Sequence, residues 1–296
     1  MSLKLKQNEL LKNHTTFKVG GQAKYFFEAK TIKDLINSIK YARHKNIPFF
    51  ILGNGSNILI SDQGYNGLII KNSSSTIKLL TNNQVKLDSG VFLPKAIFFL
   101  IEQGLTGLES FAGIPATIGG AVYMNIHGHD KFFSDYLISA TLLDQNNQVK
   151  EVSKNYFNFK YDYSKLHDNN HILLSVTLKL IRQSSQKAKL TTQEQLKSKS
   201  HYPQISAGCI FQNLSQNQQK KLNLPTPSTG YVIDKVLNLK GTTIGQAKIS
   251  DKHAGFIENL GNAKADDIIK LINLIKKTAK DKLDLDLKLE IQTLGF

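Results

Sequence analysis

The segment Leu52-Gly53-Asn54-Gly55-Ser56-Asn57-Ile58-Leu59, directly after the apolar residues Pro48 to Ile51, constrains this chain more than any other. An apolar strand that runs into glycines and small polar residues must turn at that point. Glycines 53 and 55 can take positive φ, which strains other residues. Consecutive N–H groups in such a turn can face inward as an anion-binding nest, with Ser56 and the two asparagines as side-chain donors, a set suited to a diphosphate. The pattern is not G-x-x-x-x-G-K-[ST], because no lysine follows the second glycine, and not G-x-G-x-x-G, because Ile58 holds the third glycine position. A kinase loop or a nicotinamide-type Rossmann site is thereby disfavoured, while an ordinary strand-ending loop stays open.

A second segment, from Gly104 to Asn125, is dominated by glycine, proline and small apolar residues. It cannot be one amphipathic helix throughout, yet it is too hydrophobic for a solvated linker, so its backbone is expected to lie buried against something flat. A flavin ring and a tight packing of two subdomains both meet that description.

Five motifs in order then carry a resemblance across nearly the whole chain: 13–21 (NHTTFKVGG), 52–59 with 112–125, 206–213 (SAGCIFQN), 249–257 (ISDKHAGFI) and 289–295 (LEIQTLG). Together they resemble the UDP-N-acetylenolpyruvoylglucosamine reductase (MurB) family, in its shorter subtype. The resemblance implies an α+β fold: a two-lobed FAD-binding domain of the vanillyl-alcohol-oxidase type with a smaller α+β substrate-binding domain. It implies an enzyme that passes a hydride from NADPH through N5 of noncovalent FAD to UDP-N-acetylglucosamine enolpyruvate, giving UDP-N-acetylmuramate for peptidoglycan. The hydride goes to the outer enolpyruvyl carbon, so the chemistry needs an acid or cation at the carboxylate of the enolate-like intermediate and a proton donor at the adjacent carbon.

Carried over residue by residue, the proton donor falls on Cys209, where the family has serine; a thiol, of pKa about 8.5, is the better acid. The family glutamate falls on Glu290, on an expected final strand. The family's Tyr-Arg-x-Ser falls on Tyr161-Asp162-Tyr163-Ser164, so Asp162 stands where a cation is required, and Lys160, Lys165 or another cation must supply the charge if activity is kept. The alternative is an FAD-binding homologue with lost or altered activity. Substrate contacts fall on Tyr161, Ser164, Asn213 and His253, although Gln212 and Leu214 replace the usual lysine and proline beside Asn213. The FAD diphosphate is assigned to Gly53, Asn54, Gly55, Ser56 and Asn57. Gly113, Ile114, Pro115, Ala116, Thr117, Gly120 and Asn125 are assigned to the flavin and its linker, with Val19 and Gly20 bordering the site. After Asn125 the chain has Ile126-His127-Gly128-His129 in place of the usual alanine and glycine; two histidines at this spacing lack the further ligands of a metal site, so no metal is expected.

For organisation, Thr31 to Asp34 predicts a capping box for a helix to about Lys45. Asn66-Gly67 is read as preceding a strand from Leu68 to Lys71, and Pro94 to Gln103 as a helix stopped by Gly104. Leu137–Leu143 and Gln148–Val152 form an expected hairpin around Asn146-Asn147, and His171–Leu180 a strand. The polar stretch Arg182–Lys189 reads as a linker, which divides the chain into an FAD-binding domain at 1–183 and a substrate-binding domain with a C-terminal catalytic strand at 184–296. Helices are expected near 192–199, 229–237 and 265–280, and an alternating strand over 283–294.

The 296 residues carry a formal charge of +15, almost all of it lysine, with arginine only at 43 and 182. The lysines are scattered without an aromatic-and-basic groove, so nucleic acid is not an expected partner, whereas anionic small molecules are. No apolar run approaches the roughly 20 residues a bilayer requires, the N-terminus lacks an apolar signal core, and one cysteine cannot form an internal disulfide, so a cytoplasmic monomer is expected.

Overall fold

The computed structural model describes residues 3–128 and 130–296. The chain divides into two compact units, each assembled from three stretches: unit 1 from Met1–Lys6, Tyr25–Asn54 and Gly67–Ser200, and unit 2 from Gln7–Lys24, Gly55–Asn66 and His201–Phe296.

In unit 1, helix α1 (Ile32–His44) starts where the sequence places it. The Thr31 hydroxyl accepts the Asp34 N–H and the Asp34 carboxylate accepts the Thr31 N–H, at 3.1 and 3.0 Å, so two end donors are satisfied reciprocally. Its buried stripe, Leu35, Ile39 and Ala42, packs with Ala29, Leu68, Ile70, Leu143 and Leu174 in one core. The strand Phe49–Leu52 runs parallel to Leu68–Lys71. A second core lies on a five-stranded antiparallel sheet in the order 149–153, 137–143, 172–179, 84–88, 77–79. Against it pack α2 (Leu93–Glu102), with proline in its first turn, and α3 (Ile118–Met124). The hairpin tip is fixed by Asp144, whose Oδ1 accepts the N–H groups of Asn146 and Gln148, both at 2.9 Å. Two cores in one α+β unit match the two-lobed architecture.

Unit 2 has its own core, in which Phe17, Val19 and Leu59 join Ile210, Phe211, Val232, Ile249 and the buried face of a long helix. That helix, α7 (Ala265–Leu283), packs on a small antiparallel sheet of 243–244, 247–249 and 257–259. The strand Gln292–Leu294 pairs in parallel with Ile58–Ile60.

Four expectations are corrected. The stretch Arg182–Lys189 is no linker: α4 (Ser185–Lys199) begins inside it and belongs to unit 1. Ser185 Oγ donates to Ile101 O at 2.7 Å, Lys199 Nζ donates to Ala112 O at 2.9 Å, and Ala188 and Thr192 are buried, so contacts the local sequence cannot display recruit a polar helix. The strand expected over Leu68–Lys71 extends over Tyr65–Asn72 and includes Asn66-Gly67. After the short helix α5 (Gln216–Lys221), the helix near 229–237 is a single turn, α6 (Thr229–Tyr231), continued as a π turn over Val232–Val236. Finally, α7 (Ala265–Leu283) runs through the start of the expected last strand, and only Gln292–Leu294 is laddered. Glu290 consequently sits at a bend just before that strand.

Candidate active site

The loop at 53–57 is held by its own polar side chains. Asn54 Nδ2 donates to Pro115 O at 2.8 Å and Asn57 Nδ2 donates to Glu290 O at 3.2 Å. Of its two glycines only Gly55 has positive φ, +67°, and a Cβ there would lie 2.1 Å from His14 O. Gly53 is required for space instead, since a Cβ would meet Thr117 Oγ1 at 2.6 Å. Thr117 is buried and caps α3 by accepting the Gly120 N–H at 3.2 Å. Gly113 (φ +82°), Pro115 and Gly120 are exposed or half-buried, and a Cβ on Gly120 would meet only Thr117 Oγ1, at 3.6 Å. Small residues, a bent main chain and hydroxyl and amide donors without an acidic side chain are a set that fits a diphosphate and a flat ring. The remaining cofactor candidates are placed differently. Val19 is in the core of unit 2, Gly20 (φ +124°) packs on Ile60, and Ala116 is buried while Ile114 is half-buried against the larger core of unit 1. Asn125 is the left-handed C-cap of α3, with Nδ2 donating to Lys160 O at 3.0 Å and Oδ1 accepting the Ser134 N–H at 3.1 Å.

In unit 2, Ile210 joins the two candidate catalytic residues. Its N–H donates to Gly255 O and its carbonyl accepts the Glu290 N–H, both at 2.9 Å, while Cys209 bridges to Phe256 and Phe211 to Leu289. Cys209 and Glu290 are thus brought onto adjacent main-chain segments. Gly208, with φ +78° and open space where a Cβ would point, makes the turn into Cys209. A Cβ on Gly255 would lie 2.9 Å from His253 Cε1 and 3.5 Å from Cys209 Sγ, which locates the imidazole and the thiol both beside the face of that glycine from which a side chain would project. His253 Nδ1 accepts the Gly255 N–H at 3.1 Å, so the neutral ring carries its proton on Nε2. Burial holds the His253 pKa below the usual imidazole value, and nearby His201 and Lys240 push it the same way. Tyr202 packs on Phe256 and His253 at 4.9 and 5.5 Å, and burial, then the neighbouring Cys209, raises its pKa. Asn213 Oδ1 accepts the Thr229 N–H at 3.3 Å, at the start of α6.

In unit 1, Tyr161 and Asp162 form the tip of a tight turn closed by Lys160 and Tyr163, whose N–H groups each donate to the other's carbonyl. Asp162 is left-handed (φ 49°) and its side chain is 3% exposed. His127 Nδ1 stands 3.5 Å from Asp162 Oδ1, a neighbour the sequence did not reveal across 35 positions of chain. Ser164 is buried and donates to Tyr123 O at 2.8 Å. The other histidine of the pair in sequence, His129, lies outside the described residues. Tyr202 was also missed; no motif marks it.

Residues 200–294 match the family described as UDP-N-acetylenolpyruvoylglucosamine reductase, C-terminal domain, and residues 23–153 match the FAD binding domain family. The UDP-N-acetylenolpyruvoylglucosamine reductase of Clostridium tetani is 35% identical, over 98% of this chain and 92% of that protein. The enzyme of Caldicellulosiruptor bescii is 38% identical, over 100% of this chain and 94% of its own length. The chain belongs to the UDP-N-acetylenolpyruvoylglucosamine reductase family. Among solved structures of the family, the reductase of Thermus caldophilus superposes with a TM-score of 0.82 at 29% identity, covering 99% of this chain and 100% of that one. Membership makes this an FAD-dependent oxidoreductase of a family acting on a UDP-sugar with NADPH. Among the described residues no helix is long and apolar enough to cross a membrane.

Proposed function

We propose that this protein reduces UDP-N-acetylglucosamine enolpyruvate to UDP-N-acetylmuramate with NADPH, supplying a peptidoglycan precursor. The observation that carries the reading is the backbone of Ile210, which ties Cys209 and Glu290 together within the segment matched by the family's C-terminal domain. Bound FAD supplies the hydride carrier, held by the 53–57 loop and the glycine-rich segment around Gly113–Thr117. The chain's own groups manage the proton and the developing negative charge. Cys209 Sγ holds the proton destined for the carbon next to the one that receives hydride. Glu290 is the hydrogen-bonding acid for the enolate and carboxylate oxygens. His253, kept neutral by burial, presents its Nε2 proton as a donor to substrate, and Asn213 lies toward the nucleotide, while Tyr161 and Ser164 shape the carboxylate end. The division of labour between an FAD-binding part, 1–183, and a substrate-binding part, 184–296, belongs to the same proposal, as does action in the cytoplasm as a monomer without nucleic acid.

Nothing in the comparisons favours loss of activity over the reductase reading. The test is anaerobic NADPH oxidation by FAD-loaded protein with and without the enolpyruvyl substrate. Oxidation that depends on substrate, with UDP-N-acetylmuramate found by mass spectrometry, is expected; flavin reduction without that product would refute the reading.

A further inference from the structure

The sequence departs from the family pattern twice in unit 1, at 126–129 and at 162, and the fold brings the two departures together. Asn125 braces them: its amide donates to Lys160 O, tying the end of α3 to the turn that carries Asp162. Gly128 allows the same segment to press on Ser110 O, where a Cβ would come within 2.3 Å. His127 and Asp162 are left at ion-pair distance, 3.5 Å, with the carboxylate 3% and the imidazole 31% exposed. Asp162 Oδ2 is buried and has no hydrogen-bond partner among the described residues. A buried carboxylate so poorly satisfied is costly unless a cation stands beside it.

Among the other titratable groups around the turn, His167 also feels the Asp162 charge, which works against the larger effect of burial. Lys160 Nζ lies over the Tyr163 ring and Lys165 Nζ over the Tyr156 ring, at 5.5 and 5.1 Å. His167 stacks on Tyr123 with Nε2 at 3.0 Å from Tyr123 O, and burial lowers its pKa. Asp168 accepts the Tyr163 hydroxyl proton. Lys131, paired opposite Gly128, is exposed. His127 itself is flanked by Tyr161 and Phe132, with ring centroids at 4.7 and 6.0 Å, faces that favour a cationic ring.

We infer that His127 supplies the positive charge this reductase needs at the substrate's carboxylate, and that Asp162 is a positioning residue that holds its imidazolium through Nδ1. With Nδ1 turned to Asp162, Nε2 is the ring nitrogen left to meet substrate. The inference rests on the reductase reading above, and its test separates the two. With wild-type turnover established, His127→Gln lowers kcat for enolpyruvyl reduction roughly a hundredfold, the scale of losing one donor to a developing oxyanion. Asp162→Asn, nearly isosteric, lowers kcat as well, since it removes the carboxylate that holds the ring. The double variant is no slower than His127→Gln alone, and adding Asp162→Arg to His127→Gln recovers at least part of kcat. Thermal melts confirm that each variant is folded. An active wild type with an equally active His127→Gln protein, or a double variant clearly slower than His127→Gln alone, overturns the inference. A wild type without turnover refutes the reductase reading first, and the role given to His127 falls with it.

Discussion

A single methyl group is enough to probe the proton-donor region. The His253 ring and the Cys209 thiol both border Gly255, and the Cβ of Gly255→Ala would meet the imidazole at 2.9 and 3.0 Å and the sulfur at 3.5 Å. Overpacking of this kind costs about 1–3 kcal/mol, so we expect a lower urea midpoint together with a fall in kcat; an unchanged midpoint would show that the imidazole can swing away. Cys209→Ala should leave NADPH-driven flavin reduction intact and reduce product formation roughly 10²–10⁴-fold, the range of a lost general acid. Stopped-flow absorbance separates the two steps, and equal loss in both would count against Cys209 as the donor. Cys209 and Glu290 were legible because each sits in a contiguous motif. His127 and Asp162 were legible only as anomalies, because the brace that joins them, the Asn125 amide on Lys160 O, spans 35 residues.

Elements whose ends are fixed by local chemistry were read correctly. Helix α1 carries its capping box in four consecutive residues, and the 137–153 hairpin turns on Asp144 and on Asn147 at φ 62°. Elements fixed from a distance were not. The leucines at 283, 285, 287 and 289 alternate as in a strand, and Leu285 and Leu287 are indeed buried while Asp286 and Lys288 are exposed. Alternation reports which side chains meet a core; it does not provide a neighbouring strand, and the ladder begins only where Ile58–Ile60 is available. Helix α4 buries just Ala188 and Thr192, too thin a stripe to register as periodicity. The start of α7 is capped by Asp62, whose two carboxylate oxygens accept the Ala265 and Asp266 N–H groups at 3.0 and 3.1 Å from 203 and 204 residues away. Asp62→Ala should cost about 1–2 kcal/mol in unit 2, with hydrogen exchange rising first in the opening turn of α7; protection unchanged there would mean that Asp266 and Asp267 suffice.

At the scale of the whole molecule, histidines set the acid limit. Burial lowers the pKa of His167, His171 and His253 below the ordinary 6.5. The unfolded chain therefore binds more protons than the native one between 6.5 and those depressed values, and stability is lost as pH falls through that window. We expect the urea midpoint to drop on going from pH 7.5 to pH 5, with a shallower drop in His167→Gln and His253→Gln proteins; identical slopes would place the dependence in other groups. The compact units interleave in sequence, a property that composition and local pattern do not encode. Phe17, Val19 and Leu59 belong to the core of unit 2, so the fragment 201–296 made alone lacks part of its own interior. It should show little native circular dichroism.

That interleaving has a consequence for biosynthesis. Asn57 and Glu290 are hydrogen-bonded although 233 residues apart, and the strand beside Asn57 finds its partner only at Gln292–Leu294. At roughly 5–20 residues per second of synthesis, the apolar strand Ile58–Ile60 waits many seconds without its native neighbour, and the ladder cannot close until Gln292–Leu294 has left the ribosome. Unit 2 is therefore finished only once Gln292–Leu294 has been made, and a chain cut before Gln292 would lack the strand that the early-made Ile58–Ile60 pairs with.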